Sequence, residues 1–255
     1  MATGTRTRQT RNTDDIPAEY WYPDGAAPGP GWASTRLRLV MWDLDLLVPT
    51  GHVDAELHRL AAGQVVGWPA TAPDRFAGLP DPGRAVRTLE ANGLPYGAAV
   101  LRLPAALAGL AGALYRRGLK TSDIGTNPAI SRCALEAVRR LPGSTQAVVS
   151  GTIRTNALRK IGAAGLAGAL AADVATYGSE HCRWPDLVRL AIGRASTRYG
   201  LTGGPGAAVV VTANTALAAA AGQTGAGCVL VGRAVRDVLE AAEFVRARSG
   251  VRRGM

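Results

Sequence analysis

Arg36-Leu-Arg-Leu-Val-Met-Trp-Asp-Leu-Asp-Leu-Leu-Val-Pro-Thr-Gly51 is the stretch whose reading decides the fold. Leu39, Val40, Met41 and Trp42 make a short apolar run bounded by charge, the pattern of a central parallel strand covered on both faces. The run ends in Asp43 and Asp45. In open parallel sheets ligands sit beyond the carboxyl ends of the strands, and both acids fall there. If the strand continues through them, its period of two turns Asp43 and Asp45 to one face and Leu44 to the other. The plainer expectation is that an aspartate after a strand caps the next turn or helix.

Downstream of Gly51 the pattern is helical, with Val53, Leu57 and Leu60 at compatible spacing, a break at Trp68-Pro69, and further helices over about 84–92 and 104–117. No strand candidate lies between Val53 and Gly125. From Pro128 the chain alternates: helix 129–141, strand 145–151, helix 153–164, strand 171–176, helix 185–198, strand 207–212, a helix from about 215, strand 227–231 and helix 233–247. Such alternation predicts an α/β fold: a Rossmann-like parallel sheet with helices on both faces, plus a small all-helical cap inserted after the first strand. The expected domains are a flexible or extended arm at 1–35, an α/β core at 36–51 and 126–250, and the helical cap at 52–125. The arm carries Tyr20-Trp21-Tyr22, aromatics suited to anchoring it on its own domain.

The chain has 255 residues, 47% of them hydrophobic, enough for one generous core. No apolar run of membrane-spanning length and no signal peptide is read from it, and the expected location is cytoplasmic. Cys133, Cys182 and Cys228 lack the close pairs of structural zinc sites, and Cys133 and Cys228 read as core residues. A net charge of +10 comes from arginine scattered through every segment, with aromatics at only 5%. That dispersal argues against nucleic acid as a partner and leaves a small molecule, drawn in by positive potential if it is anionic. The sequence does not set the oligomeric state. His52 and His58 read as surface histidines; Glu180 and His181 read as loop residues at the mouth of a site.

The expected strand ends bring together Asp43 and Asp45, Ser150-Gly151-Thr152, and Thr212-Ala213-Asn214-Thr215. On these residues the chain resembles the haloacid dehalogenase superfamily, in particular its phosphoglycolate-phosphatase-like hydrolases with a helical cap. Trp42-Asp43-Leu44-Asp45 resembles the first motif, whose leading aspartate is the nucleophile and whose second is the general acid/base. Val149-Ser150-Gly151 resembles the second, where a hydroxyl binds the transferred phosphoryl group. Arg183-Trp184-Pro185-Asp186 is similar to the third, with arginine where lysine is usual. The resemblance implies catalysis by Asp43 and Asp45, with Ser150, Gly151, Thr152, Arg183 and Asn214 as substrate contacts.

Two departures bear on the chemistry. Leu46 and Leu47 stand where the first motif is usually small or polar and then hydroxylated. Thr212-Ala213-Asn214 stands where the fourth motif usually supplies acids for magnesium, and it is similar instead to the Ser-Ser-Asn type of the metal-independent dehalogenase branch. Magnesium is normally held through carboxylates, so the expected cofactor is none, with magnesium doubtful. The expected function is carboxylate chemistry by Asp43 and Asp45 on a small anionic metabolite, repurposed from phosphatase activity. The alternatives are a catalytically inactive scaffold or partner subunit, its pocket filled by side chains such as Leu46 and Leu47, and an ordinary magnesium-dependent phosphomonoesterase.

Overall fold

The computed structural model describes residues 39–201, 203–232 and 235–249; the expected arm at 1–35, with its aromatic triplet, lies outside the described residues. Four short strands form one parallel sheet in the order β2-β1-β3-β4: β1 (Leu39–Asp43), β2 (Thr145–Val149), β3 (Ala208–Thr212) and β4 (Gly227–Leu230). Alternation along β1 splits the core. Val40 and Trp42 face the cluster that includes residues of α5 (Pro128–Arg139) and α9 (Val238–Arg248), whereas Leu39 and Met41 face α7 (Trp184–Tyr199) and α8 (Thr215–Thr224). Trp42 is fully buried, and its indole N–H donates to Gln146 Oε1 at 3.1 Å, so the polar atom inside the core is satisfied.

Between β1 and β2 the chain is entirely helical: α1 (Leu44–Leu47), α2 (Gly51–Val66), α3 (Asp81–Ala91) and α4 (Tyr96–Arg117), then α5. Helices α2, α3 and α4 share an apolar cluster around Leu89 and Ala62, and α2 and α4 form a second around Leu57, Leu110 and Leu114 that takes in Ile153 of the core. These helices are the cap. Helix α4 starts eight residues before the expected start near Pro104, because that proline is tolerated inside the helix while Ala99 and Ala106 bury the turns before and after it. Pro104 removes one N–H, and the carbonyl it frees belongs to Val100, which is 41% exposed, so water can satisfy it. Contrary to the reading that no apolar run is long enough, α4 is by length and composition long and apolar enough to cross a membrane, with mean hydropathy 1.6. It carries Arg102 near its middle and packs on α2 and α3.

The strand expected at 171–176 does not form. Ala171 and Thr176 each donate to β2, to Gln146 O and Val148 O, but a tight turn closes between them, with Val174 and Ala175 both donating to Ala171 O. Only the bridge between Val149 and Thr176 remains. Helix α6 (Arg154–Ala163) follows β2 as expected, and α9 begins later than read, at Val238, capped by the Asp237 carboxylate. Of the cysteines, Cys228 is in the core, but Cys133 is exposed on α5.

Candidate active site

Strand register builds the site. Trp42 pairs with Val148 and with Val211, so the next residues, Asp43, Val149 and Thr212, reach the same level at the carboxyl edge. Asp43 shares the face of Met41 and Thr212 that of Val210, which sets the two side chains against each other. Thr212 Oγ1 donates to Asp43 Oδ2 at 2.5 Å. Asp43 Oδ1 accepts the Asp45 N–H at 3.1 Å, so Asp43 is the N-cap of α1. The chain turns helical at Leu44, and the strand alternation therefore does not carry to Asp45. Asp43 is 3% exposed, whereas the Asp45 side chain is 52% exposed. Burial, then the Asp45 charge, push the Asp43 carboxyl from 3.8 up to about 7, against the lowering effects of Thr212, the Asp45 N–H and Lys160.

The cation at these acids is Lys160, not Arg183. Lys160 lies on α6 with no exposed surface, and its ammonium donates to Asp54 Oδ2 at 2.8 Å, Asp45 Oδ1 at 3.1 Å and Thr152 Oγ1 at 3.4 Å. Three donors meet three acceptors, a task for a compact ammonium rather than a planar guanidinium. Burial opposes its charge, but the surrounding carboxylates hold the ammonium firmly protonated. Arg183 instead precedes α7 with a side chain 71% exposed, and its ion partner is Asp186 at 3.9 Å. Sequence reasoning missed Lys160 although a signal existed: only Lys120 and Lys160 are lysines in a chain with 29 basic residues. Asp54 was missed as well; it lies on α2 and also accepts from Thr50 Oγ1 at 2.9 Å, so the ion cluster ties cap to core.

The Ser150-Gly151-Thr152 loop lies beyond β2, buried at Ser150 and Thr152. Ser150 Oγ accepts the Thr152 N–H at 3.1 Å. Gly151 is required by close approach, since a Cβ there would lie 2.9 Å from Pro80 Cα and 2.8 Å from the Trp184 ring. The cap seals onto this loop through Asp81, whose N–H donates to Gly151 O at 2.7 Å and whose Oδ2 accepts the Ile153 N–H at 2.8 Å. His58 is not a surface residue: it is 3% exposed and meets Asp81 Oδ1 at 2.9 Å. Burial works to raise the Asp81 carboxyl, but the His58 and Ile153 contacts outweigh it and hold the group below its ordinary range. Asn214 also serves this closure. Its Oδ1 caps α8, and its Nδ2 donates to Gly78 O, which Trp184 Nε1 also reaches at 2.9 Å.

The remaining expectations divide. Leu47 packs wholly in the core beside Leu44, with its carbonyl bound by Ser131, and half-buried Leu46 packs against the same core cluster. Glu180 accepts the Tyr177 N–H and pairs with Arg194, while His181 pairs with Asp186 on a groove of about 780 Å³ along α7.

The end of β3 offers no carboxylate to a magnesium ion. At the end of β3 the side chains are Thr212, whose proton is given to Asp43, and Asn214, whose amide is engaged at both atoms. The neighbouring positive charge is already supplied by Lys160, and among the described residues no group of three His, Cys, Asp or Glu side chains is placed to hold a metal.

No protein-family model matches the chain, and no curated protein matches it. Solved structures do. A provisionally assigned beta-phosphoglucomutase from Bacteroides vulgatus aligns with TM-score 0.59 at 13% identity, over 84% of this chain and 90% of that one. A provisionally assigned beta-phosphoglucomutase from Thermotoga maritima aligns with TM-score 0.49 at 17% identity, over 83% and 99% of the two chains. A HAD-superfamily hydrolase, subfamily IA, from Geobacter sulfurreducens aligns with TM-score 0.45 at 12% identity, over 82% and 97%. The chain has a haloacid dehalogenase-like fold, a parallel α/β core with a helical cap after its first strand.

Proposed function

We propose that the chain is an enzyme of hydrolase lineage that acts on a small anionic metabolite through Asp43 and Asp45, with little or no dependence on magnesium. The observation that supports this reading is the arrangement at the strand ends: Asp43 buried and hydrogen-bonded by Thr212, Asp45 open to solvent, and Lys160 beneath Asp45 in place of a metal. A carboxyl poised near neutrality can both take and give a proton at physiological pH, as a general acid/base requires. Asp45, held by Lys160, stays oriented at the entrance. Ser150 and Thr152 line the adjoining loop, and substrate entry requires the Asp81 and Asn214 ties of the cap to open.

Two other readings have specific support. The sealing of Asp43 and Lys160 beneath those ties favours a catalytically inactive scaffold, and the phosphoglucomutase name of the Bacteroides structure makes phosphorylated sugars a substrate class to test. The deciding experiment assays wild type and Asp43→Asn on phosphate monoesters, hexose phosphates among them, and on non-phosphorylated small acids, with magnesium and with a chelator. Turnover that survives the chelator and is lost in Asp43→Asn supports the proposal. Turnover only with magnesium restores the phosphomonoesterase, and none on any substrate favours the scaffold.

A further inference from the structure

Helix α4 turns an apolar face outward. Among the described residues, four of the ten large exposed apolar side chains, Tyr96, Val100, Leu101 and Tyr115, stand on this one helix, and Leu101 is 83% exposed. Pro104, Ala105 and Ala108 continue the exposed stripe, on the side opposite Ala99, Ala106, Leu110 and Ala113, which pack in the cap clusters. The helix has three arginines and no acid. Arg116 lies back over the stripe at Gly112, where a Cβ would meet its Nη1 at 3.1 Å, and Arg159 of α6 sits over the Tyr115 ring, 4.9 Å from its centroid. Arg117 takes Glu56 and Asp123, but among the described residues Arg102, Arg116 and Arg159 meet no carboxylate. From Tyr96 to Tyr115 the stripe is about 29 Å long and about 10 Å wide. That is a few hundred Å², well short of the roughly 800 Å² that a stable protein partner covers on each side. A second copy would also set these arginines against themselves, with no acid on α4 to offset them. The stripe matches instead one extended segment of about nine residues.

The chain carries such a segment. Asp14-Asp-Ile-Pro-Ala-Glu-Tyr-Trp-Tyr-Pro-Asp24, outside the described residues, has four acids, no base and the aromatic triplet within eleven residues. We infer that Asp14 to Asp24 dock on the outer face of α4, the aromatics on the apolar stripe and the acids against Arg102, Arg116 and Arg159. Aromatic rings supply large apolar area and stack with guanidinium groups, and each carboxylate offers an arginine a charge-assisted pair. The reach suffices. Residues 25–38 span up to about 50 Å, whereas β1, which they enter at Leu39, covers about 17 Å to the carboxyl edge where the cap sits. Because the segment belongs to the same chain, a patch too small for a free partner can still be filled. Held by the core at Leu39 and by the cap at α4, the segment straps the two together and opposes the cap opening that substrate entry requires. That consequence rests on the function proposed above; the docking itself does not.

The test measures how fast a thiol placed on the stripe is alkylated. Leu101→Cys is made in the full chain, and iodoacetamide labelling is followed by peptide mass spectrometry, with the exposed Cys133 and Cys182 as internal references. The same variant is then given Trp21→Ala with Tyr22→Ala or, separately, Glu19→Gln with Asp24→Asn. An effective concentration of about 1 mM against an affinity of about 0.1 mM leaves about a tenth of the molecules undocked, so loss of docking speeds labelling up to about tenfold. Each pair of changes is expected to speed labelling of the new thiol at least about threefold, with the rates at Cys133 and Cys182 unchanged. Labelling that neither pair alters overturns the docking. Protection that grows with protein concentration gives the stripe to a second copy and overturns it as well. Should Leu101→Cys fail to fold, Ala108→Cys, also exposed, takes its place with the same outcomes. No outcome is read from turnover, so failure of the docking leaves the reaction at Asp43 standing, and failure of that reaction leaves the docking.

Discussion

Replacing Asp43 by asparagine should remove a pH-dependent weakness from the fold. The carboxyl is raised from 3.8 to about 7, first by burial and then by the charge of Asp45. It therefore holds its proton more tightly in the folded protein than in the unfolded chain. Its contribution to stability is whole below pH 3.8 and is lost as the pH climbs through about 7. Each tenfold in proton affinity is about 1.4 kcal/mol, so the whole effect is about 4 kcal/mol, of which about 2.5 kcal/mol falls between roughly pH 5 and 8. Asparagine keeps the shape but accepts from only one of Thr212 Oγ1 and the Asp45 N–H, a loss of about 1 kcal/mol at every pH. Urea unfolding followed by circular dichroism should find the variant within about 1 kcal/mol of wild type near pH 5 and about 2–3 kcal/mol more stable near pH 8. Asp45 and Lys160 are present in both proteins, so what they contribute by themselves largely cancels. A difference constant to within about 0.5 kcal/mol over that range would show that Asp43 titrates as an ordinary aspartate, and the acid/base role would fall with it.

Three further outcomes test the construction of the site. Lys160→Met should cost about 3 kcal/mol in urea unfolding, most of it from Asp54, whose side chain is 17% exposed, because Asp45 at 52% is screened by water. A cycle with Asp54→Asn should then recover at least about 1 kcal/mol as coupling. Gly178→Ala places a Cβ 1.8 Å from Gly151 O, a clash with backbone that cannot rotate away. It should lower stability by at least about 2–3 kcal/mol, read as a fall in Tm, and an unaffected Tm would contradict the packing of the loop before α7 on the Ser150 loop. The Asp81 carboxyl is held below its ordinary range, so its contribution is present above pH 3.8 and is lost as the pH falls below that value. Asp81→Asn should therefore be less stable than wild type by a constant margin above about pH 5, and calorimetry should show the margin closing in stronger acid.

The sequence by itself determined the elements that periodicity and punctuation control. The apolar run Leu39 to Trp42 could only be a buried strand, and helices with glycine or asparagine at their ends were legible from Val53 to Gly118 and from Pro128 onward. Both aspartates were placed at the strand end, and the short parallel strands around them fixed the fold class. Local signals also misled where burial overrides them: Pro104 did not break α4, and Ala171 to Thr176 touched the sheet only at its two ends. The partners at the site were a matter of tertiary structure. Asp43 and Thr212 are 169 residues apart, and Lys160 lies 115 residues from Asp45, so nothing in the local pattern joins them. Sheet register brings the first pair together, and α6 packing under the cap brings the second. Arg183 looked like the cation because Arg183-Trp184-Pro185-Asp186 resembles the third motif, but just before α7 its side chain stands in solvent. Lys160, buried mid-helix, has the reach of a long stem and three donors for three acceptors. Charge and residue type are written in the chain, but which charges meet is decided only when strands align and helices pack, because contact energy depends on distances that sequence spacing does not set.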